Sequence, residues 1–463
     1  MRREVTLAII LLASLTFLFL QILSLKGIDN QIIGSSLGKV IGLRKKTDDL
    51  MWRHLKLLST VATSAELELF VIDPDVLQDL AVEQISNAGA NNSDFIWNFA
   101  PRMFSNCRHI CGRKRIVLGA FGKSWKSSKS VFQATMLQQR VQQKCCEKQD
   151  PRLLTIDRRQ YATIDFHCSY TLGNVVVDIV LFHEWGNFLW HGAVSERGEE
   201  IPKSEIEIGK REGAFNRFSL KKETLDGIGV FLPQHPLRFL AETKQSGFVR
   251  CDVQRARKFF AYHGEGMTKE AAEFTDAARE LLKTAVTALD GIGIRFWLSS
   301  GTCLGWFRQC SIIPHSKDVD IGIWIKDYDP RLISRFEKHG LHLKHKFGKV
   351  EDSLELSFHA ASGVKLDIFF FYEETDHMWN GGTRARTGEK YKYIFPKFTL
   401  CWTVFLSLRV RVPCETQQYI EANYGFDWDT PVKEWKWNKS PPNVRPNGVW
   451  GKTEWPEVIQ TFT

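Results

Sequence analysis

The chain has 463 residues, 43% of them hydrophobic and 25% charged, a composition that excludes wholesale disorder and collagen-like repeats. Lys plus Arg number 62 against 53 Asp plus Glu, a formal net charge of +9, too diffuse to imply a nucleic-acid partner. Ten Cys are too few for a disulfide scaffold but enough for several bridges in an oxidising compartment.

The first element is a run of 21 uncharged residues from Val5 to Leu25, long enough to cross a hydrocarbon core of about 30 Å as a helix. It exceeds the roughly 7–15 residues of a cleavable signal, and Leu23-Ser24-Leu25-Lys26 offers no small-x-small exit, so a retained signal-anchor is expected. Arg2 and Arg3 precede it, which places a cytoplasmic tail at 1–4 and the bulk of the chain in the secretory lumen. Residues 26–49 read as a stem. Asn91-Asn92-Ser93 is a glycosylation sequon, with Asn91 the candidate site; a second sequon, Asn438-Lys439-Ser440, is followed by Pro441 and is the weaker of the two.

An N-terminal luminal α/β domain is expected over 50–265. Within it, residues 70–74 predict a short strand ending at a turn, and Val175 to Phe182 is a continuous apolar run of strand length broken by one acid. Arg102 to Arg159 holds 14 basic residues against 3 acids. No phosphate loop accompanies them, so a solvated, partly mobile face is favoured over an anion-binding surface. His183, Glu184 and His191 lack metalloprotease spacing and read as structural or surface residues. Cys107, Cys111, Cys145 and Cys146 fit disulfides or a zinc site. Seven of the 15 Trp lie between Trp379 and Trp455; they suit ring stacking, though most Trp residues simply pack.

The remainder, 266–463, opens with a clear helix. Thr268 is its N-cap, Phe274, Ala278, Leu281, Leu282, Ala285 and Leu289 repeat at helical spacing, and Gly291 and Gly293 stop it. Residues 296–298 form a short strand, followed by a Ser299-Ser300-Gly301 turn, a short helix, a turn at Pro314 and a second strand. In that strand Asp318 and Asp320 share one face and Val319, Ile321, Ile323 and Ile325 the other. Two carboxylates so placed repel unless a cation, a proton or a basic residue intervenes, and oxygen-only ligands suit Mg²⁺ or Mn²⁺. Asp367, embedded in the apolar strand 364–372, needs a partner and would complete the cluster. A Gly-containing turn, a helix, an Asp-x-Asp strand and a later strand Asp form the layout of the nucleotidyltransferase fold, in which the turn holds phosphate and the acids hold metal. The fold class expected is therefore α/β (α+β), with a transmembrane helix, a mixed α/β domain and a C-terminal mixed-sheet catalytic domain.

Long strings, among them FWLSSGTCLGW, KDVDIGI, LKHKFGKVEDSLELSF, FPKFTLCW and CETQQYIEANYG, carry a further signal. On these the chain resembles the fukutin family end to end, and its C-terminal half is similar, more loosely, to LicD-type phosphocholine transferases. The resemblance implies a single-pass Golgi enzyme that transfers ribitol 5-phosphate from CDP-ribitol. The implied acceptor is the N-acetylgalactosamine of the phosphorylated O-mannosyl core M3 glycan on α-dystroglycan. It also implies association with fukutin-related protein and other Golgi O-mannosylation enzymes, and no nucleic acid. Metal binding and catalysis carry over to Asp318, Asp320 and Asp367, with Asp367 a candidate base for the acceptor hydroxyl. Gly301 and Thr302 match the donor-phosphate turn, and Arg308 is a candidate for the donor's phosphate charge. The chain departs from the bacterial pattern at His315-Ser316-Lys317, where those relatives place further acids. The competing reading is a non-catalytic, membrane-tethered scaffold or chaperone for other Golgi transferases.

Overall fold

The computed structural model describes residues 50–88, 107–154, 162–193, 208, 211–264, 268–314, 316–432 and 434–462. The expected anchor at 5–25, the tail, the stem, Asn91 and His315 lie outside these residues. Among the described residues no helix is long and apolar enough to cross a membrane. The fold is mixed α/β.

Two compact units emerge. One comprises residues up to Cys146 together with His167–Leu181 and Phe218–Leu237; the other comprises Glu147–Phe166, Phe182–Arg217 and Arg238–Thr463. Each unit gathers residues far apart in sequence, and the 265/266 point falls inside the second unit.

In the first unit a helix over residues 50–64 precedes the strand Phe70–Val71, which is antiparallel to Arg115–Phe121 and parallel to Ile228–Pro233. A helix then starts at Pro74, where the chain was expected to turn. The basic stretch is regular where it is described: strand Arg115–Phe121, helix Gly122–Gln138 and strand Gln142–Gln149. Trp125, Ser128, Phe132 and Met136 recur at helical spacing and form that helix's buried face. Several of its cations already have partners: Arg113 meets Asp73, Asp75 and Asp79, and Arg115 meets Asp178. Ion pairing thus absorbs part of the local charge.

The second unit is organised on a mixed sheet. Its main path runs Val444–Val449, Glu389–Pro396, His377–Arg384, Lys365–Glu373, Asp352–His359, His342–Lys349, Ile459–Thr461. Asp318–Trp324 lies parallel along Lys365–Glu373 and pairs on its other edge with Phe296–Leu298. It ends one residue earlier than expected, because Ile325 begins a 3-10 turn. The helix Lys269–Asp290 is capped by the Thr268 hydroxyl, which accepts from Ala271 N at 3.2 Å. Its Ala278, Leu281, Leu282, Ala285 and Leu289 enter the core with Phe296, Trp297 and Leu298. Gly322 has a specific reason: a Cβ there would come within 2.3 Å of the Trp297 ring. The bare backbone lets the indole lie on the strand, where Trp297 also packs on Trp324 at 4.4 Å and Phe371 at 5.0 Å.

Earlier residues complete this unit. Phe248 bridges to Trp402, and Trp402 N donates to Gly247 O at 2.7 Å. Arg409 donates to Asn216 Oδ1 at 2.8 Å and Ala214 O at 3.2 Å. His183 and His191 are buried and hydrogen-bonded to the backbone oxygens of Asp165 and Gly192, which makes them structural, whereas Glu184 is exposed. Disulfides join Cys107–Cys111, Cys145–Cys168, Cys251–Cys310 and Cys401–Cys414, leaving Cys146 and Cys303 as thiols.

Candidate active site

The site grows from the register of two parallel strands. Asp318 is opposite Lys365 and Asp320 opposite Asp367, so alternation puts all four side chains on one face. Oxygens of Asp318, Asp320 and Asp367 lie within 4.8 Å of one another. The strand–turn–helix expected before them is present: Phe296–Leu298, then the helix Ser300–Gln309, whose N-terminus abuts Asp320. Ser300 takes φ +40°, a left-handed conformation that costs a non-glycine residue energy, at the point where the chain turns into that helix.

Gly301 borders the cavity, and a Cβ there would sit 3.4 Å from Asp320 Oδ2. Thr302 is turned inward: it is buried, and its hydroxyl accepts from Asp320 N at 2.8 Å. Of the two turn residues, Gly301 therefore faces the ligand space while Thr302 positions Asp320. Ser316, in the segment that departs from the bacterial pattern, donates to Asp318 Oδ1 at 2.9 Å.

Burial and then the neighbouring charges of Asp318 and Asp367 push the Asp320 carboxyl well above its usual range. Burial likewise raises Asp367, against the opposing pull of Lys365. Lys365 is 2.6 Å from Asp367 Oδ2 and 3.6 Å from Asp318 Oδ2. Burial disfavours its charge, but Asp367, Asp318 and Asp320 outweigh this and raise its pKa. Ser357 donates to the other Asp367 oxygen. Both Asp367 oxygens therefore have a protein partner. The donor set, three carboxylates held together with an unfavourable charge balance, fits a hard divalent cation.

The acids open into a cavity of about 600 Å³, also lined by Arg308, Glu355, Asn380, Tyr424, Trp428 and Trp437. Arg308, rather than lying on a solvated helix surface, is 4% exposed. Its guanidinium lies over the Phe259 ring at 4.6 Å and donates to Gln309 Oε1 at 2.8 Å, and among the described residues it has no carboxylate partner. Burial pushes its pKa down to about 10, so it stays charged at neutral pH, ready for an anion. Glu355, also on this wall, is pushed up to about 8 by burial and by Asp367.

Lys365, Glu355 and Asn380 escaped the sequence reading. Lys365 precedes Asp367 by two residues, so period-2 alternation alone could have found it. Glu355 carries the same signal as Asp367, an acid within an apolar strand. Asn438, in the second sequon, donates to Tyr391 Oη at 3.3 Å.

The C-terminal part has the class signature of a nucleotidyltransferase domain: residues 293–415 match the family model described as "LicD/FKTN/FKRP, nucleotidyltransferase domain", and residues 1–279 match "Fukutin N-terminal". The chain is 43% identical to "Ribitol-5-phosphate transferase FKTN" of Homo sapiens and 44% to that of Mus musculus, in each case over 99% of both chains. A 51-residue stretch, 11% of this chain and 10% of the relative, is 43% identical to "Ribitol 5-phosphate transferase FKRP" of Mus musculus. The chain belongs to the fukutin family.

Proposed function

We propose that this chain is a ribitol-5-phosphate transferase that uses CDP-ribitol as donor, with Mg²⁺ or Mn²⁺ held by Asp318, Asp320 and Asp367. The acceptor in this reading is the N-acetylgalactosamine of the phosphorylated O-mannosyl core M3 glycan on α-dystroglycan. The chain is anchored by residues 5–25 in the Golgi membrane with its C-terminus luminal, in company with fukutin-related protein. The observation that carries the reading is the convergence on one cavity of three strand carboxylates, a helix N-terminus and a buried arginine that has no salt bridge among the described residues. The near full-length relatives supply the transferred group.

In this reaction the acceptor hydroxyl oxygen forms a bond to the ribitol-bearing phosphorus, that phosphorus parts from the CMP oxygen, and the hydroxyl proton is released. A bound divalent cation supplies electrostatic stabilisation of the charge on the phosphate oxygens. Arg308 and the helix N-terminus at Gly301 bind and orient the diphosphate. Thr302 and Ser316 fix Asp320 and Asp318, and Lys365 limits repulsion within the cluster.

The test is CMP release by the purified full-length chain, comparing CDP-ribitol, CDP-glycerol and CDP-choline with divalent metal present. Preference for CDP-ribitol is expected. Release from none of the three would end the transferase reading, and preference for another donor would end the ribitol assignment.

A further inference from the structure

Two walls of the cavity differ in chemistry. Gly301 and Arg308 form a wall suited to anions. On the sheet side stand Glu355, Asn380, Tyr393 and Trp437. Asn380 is 4% exposed, and among the described residues its Oδ1 has no hydrogen-bond partner, a costly state for a buried amide oxygen unless a ligand supplies a donor. Glu355 likewise has no protein donor among the described residues, and it lies within electrostatic reach of Asp367 and Tyr393.

The backbone makes room for this wall. Asn380 is paired with Tyr393 in the ladder, and the Tyr393 hydroxyl donates to Trp437 O at 2.9 Å. Beside Asn380 come Gly381 and Gly382. A Cβ at Gly382 would approach the Trp437 ring to 3.1 Å and Tyr393 to 3.3 Å, so the bare strand lets both rings close on it. Trp437 nonetheless keeps 43% of its surface exposed.

A buried, unpartnered amide oxygen beside a carboxyl group calls for a ligand with hydrogen-bond donors. Phosphate oxygens have no donor to offer the Asn380 Oδ1. Hydroxyl groups fit, and an indole provides the apolar surface on which a sugar or polyol carbon face rests. Resting on the transferase reading above, we infer that Asn380, Glu355 and Trp437 form a subsite for a polyhydroxyl group, either the donor's ribitol or the acceptor's N-acetylated hexosamine. The phosphates then occupy the Arg308 side.

The experiment measures dissociation constants of the full-length chain for ribitol 5-phosphate, N-acetylgalactosamine and CMP by saturation-transfer NMR. These constants do not depend on turnover, so they can fail independently of the CMP-release assay. Asn380→Ala and Trp437→Ala are expected to weaken one of the first two probes by roughly tenfold while leaving CMP within about twofold. The probe affected identifies the donor or the acceptor half. Asn380→Asp, which retains an acceptor oxygen in the same shape, should restore binding and controls for misfolding. If neither polyhydroxyl probe binds the wild type, if the alanine variants bind both unchanged, or if CMP weakens in step, the subsite assignment is wrong.

Discussion

Asp320 and Asp367 stand directly opposite each other on adjacent parallel strands, each buried and each with its carboxyl pKa raised. Such a pair is a liability to folding. Proteins place like charges face to face where a cation or a reaction repays the cost.

Replacing Asp318 or Asp320 by Asn keeps the side-chain shape and removes one charge. Transfer from CDP-ribitol should fall roughly 10²–10³-fold or more, while the melting temperature of Asp320→Asn in chelator stays level or rises, because repulsion is relieved. Both quantities are read on the same preparation. A lower melting temperature with transfer retained would mean that the carboxylates are merely structural.

Lys365 offsets part of the negative charge of the acid cluster. Lys365→Met should destabilise the metal-free chain by roughly 2 kcal/mol, less than a fully buried pair would cost because the lysine is partly solvated. Added Mn²⁺ should recover much of that loss, since a ligand held at about 100 times its Kd stabilises by about 2.7 kcal/mol. Denaturant melts with chelator and with Mn²⁺ measure the difference; equal losses in both would contradict it.

Gly322→Ala forces a methyl into the Trp297 ring. Overpacking of this kind costs about 1–3 kcal/mol, and because Asp320 is two residues away on the same face, activity should fall together with stability. Trp297→Leu in the same chain should restore part of the stability. No recovery in urea melts would place the strain elsewhere.

His191 gives the fold an acid limit. Burial lowers its pKa to about 4 from the usual 6.5, with the charge of His183 a smaller contribution and its bond to Gly192 O opposing. Between those values the unfolded chain binds a proton that the folded chain does not. The stabilising contribution is complete above pH 6.5 and shrinks by about 1.4 kcal/mol per unit as pH falls toward 4. His191→Leu should flatten stability against pH across that window; an unchanged slope would point to other groups.

The sequence reading reached the acids because each stands in an apolar strand where a charge needs an explanation, and the helix 269–290 because its period is long and its cap conventional. What it missed depends on register. That Lys365 pairs with Asp318 across the ladder, or that Asn380 reaches the same cavity as Glu355, follows from which strands are neighbours, and alternation within one strand does not reveal that. Thr302 shows the complementary limit: the family resemblance paired it with Gly301, but one step along a helix turns a side chain by about 100°, and its hydroxyl meets Asp320 N. The basic stretch reads as a solvated face and most of its described cations are exposed, while the acids that pair with Arg113 and Arg115 lie outside it.

The interleaving of segments bears on how this protein can be cut or recombined. A gene fragment starting at residue 293, where the LicD match begins, would carry every metal-binding candidate and still be damaged. Cys310, at the end of the helix that presents Gly301 and Arg308, would lose Cys251. Trp402 would lose its backbone partner Gly247, and Arg409 would lose Asn216 and Ala214. The catalytic machinery is therefore not portable as a cassette, and any truncation or exon shuffle that spares the acids but drops residues 213–251 should yield an unstable, inactive product.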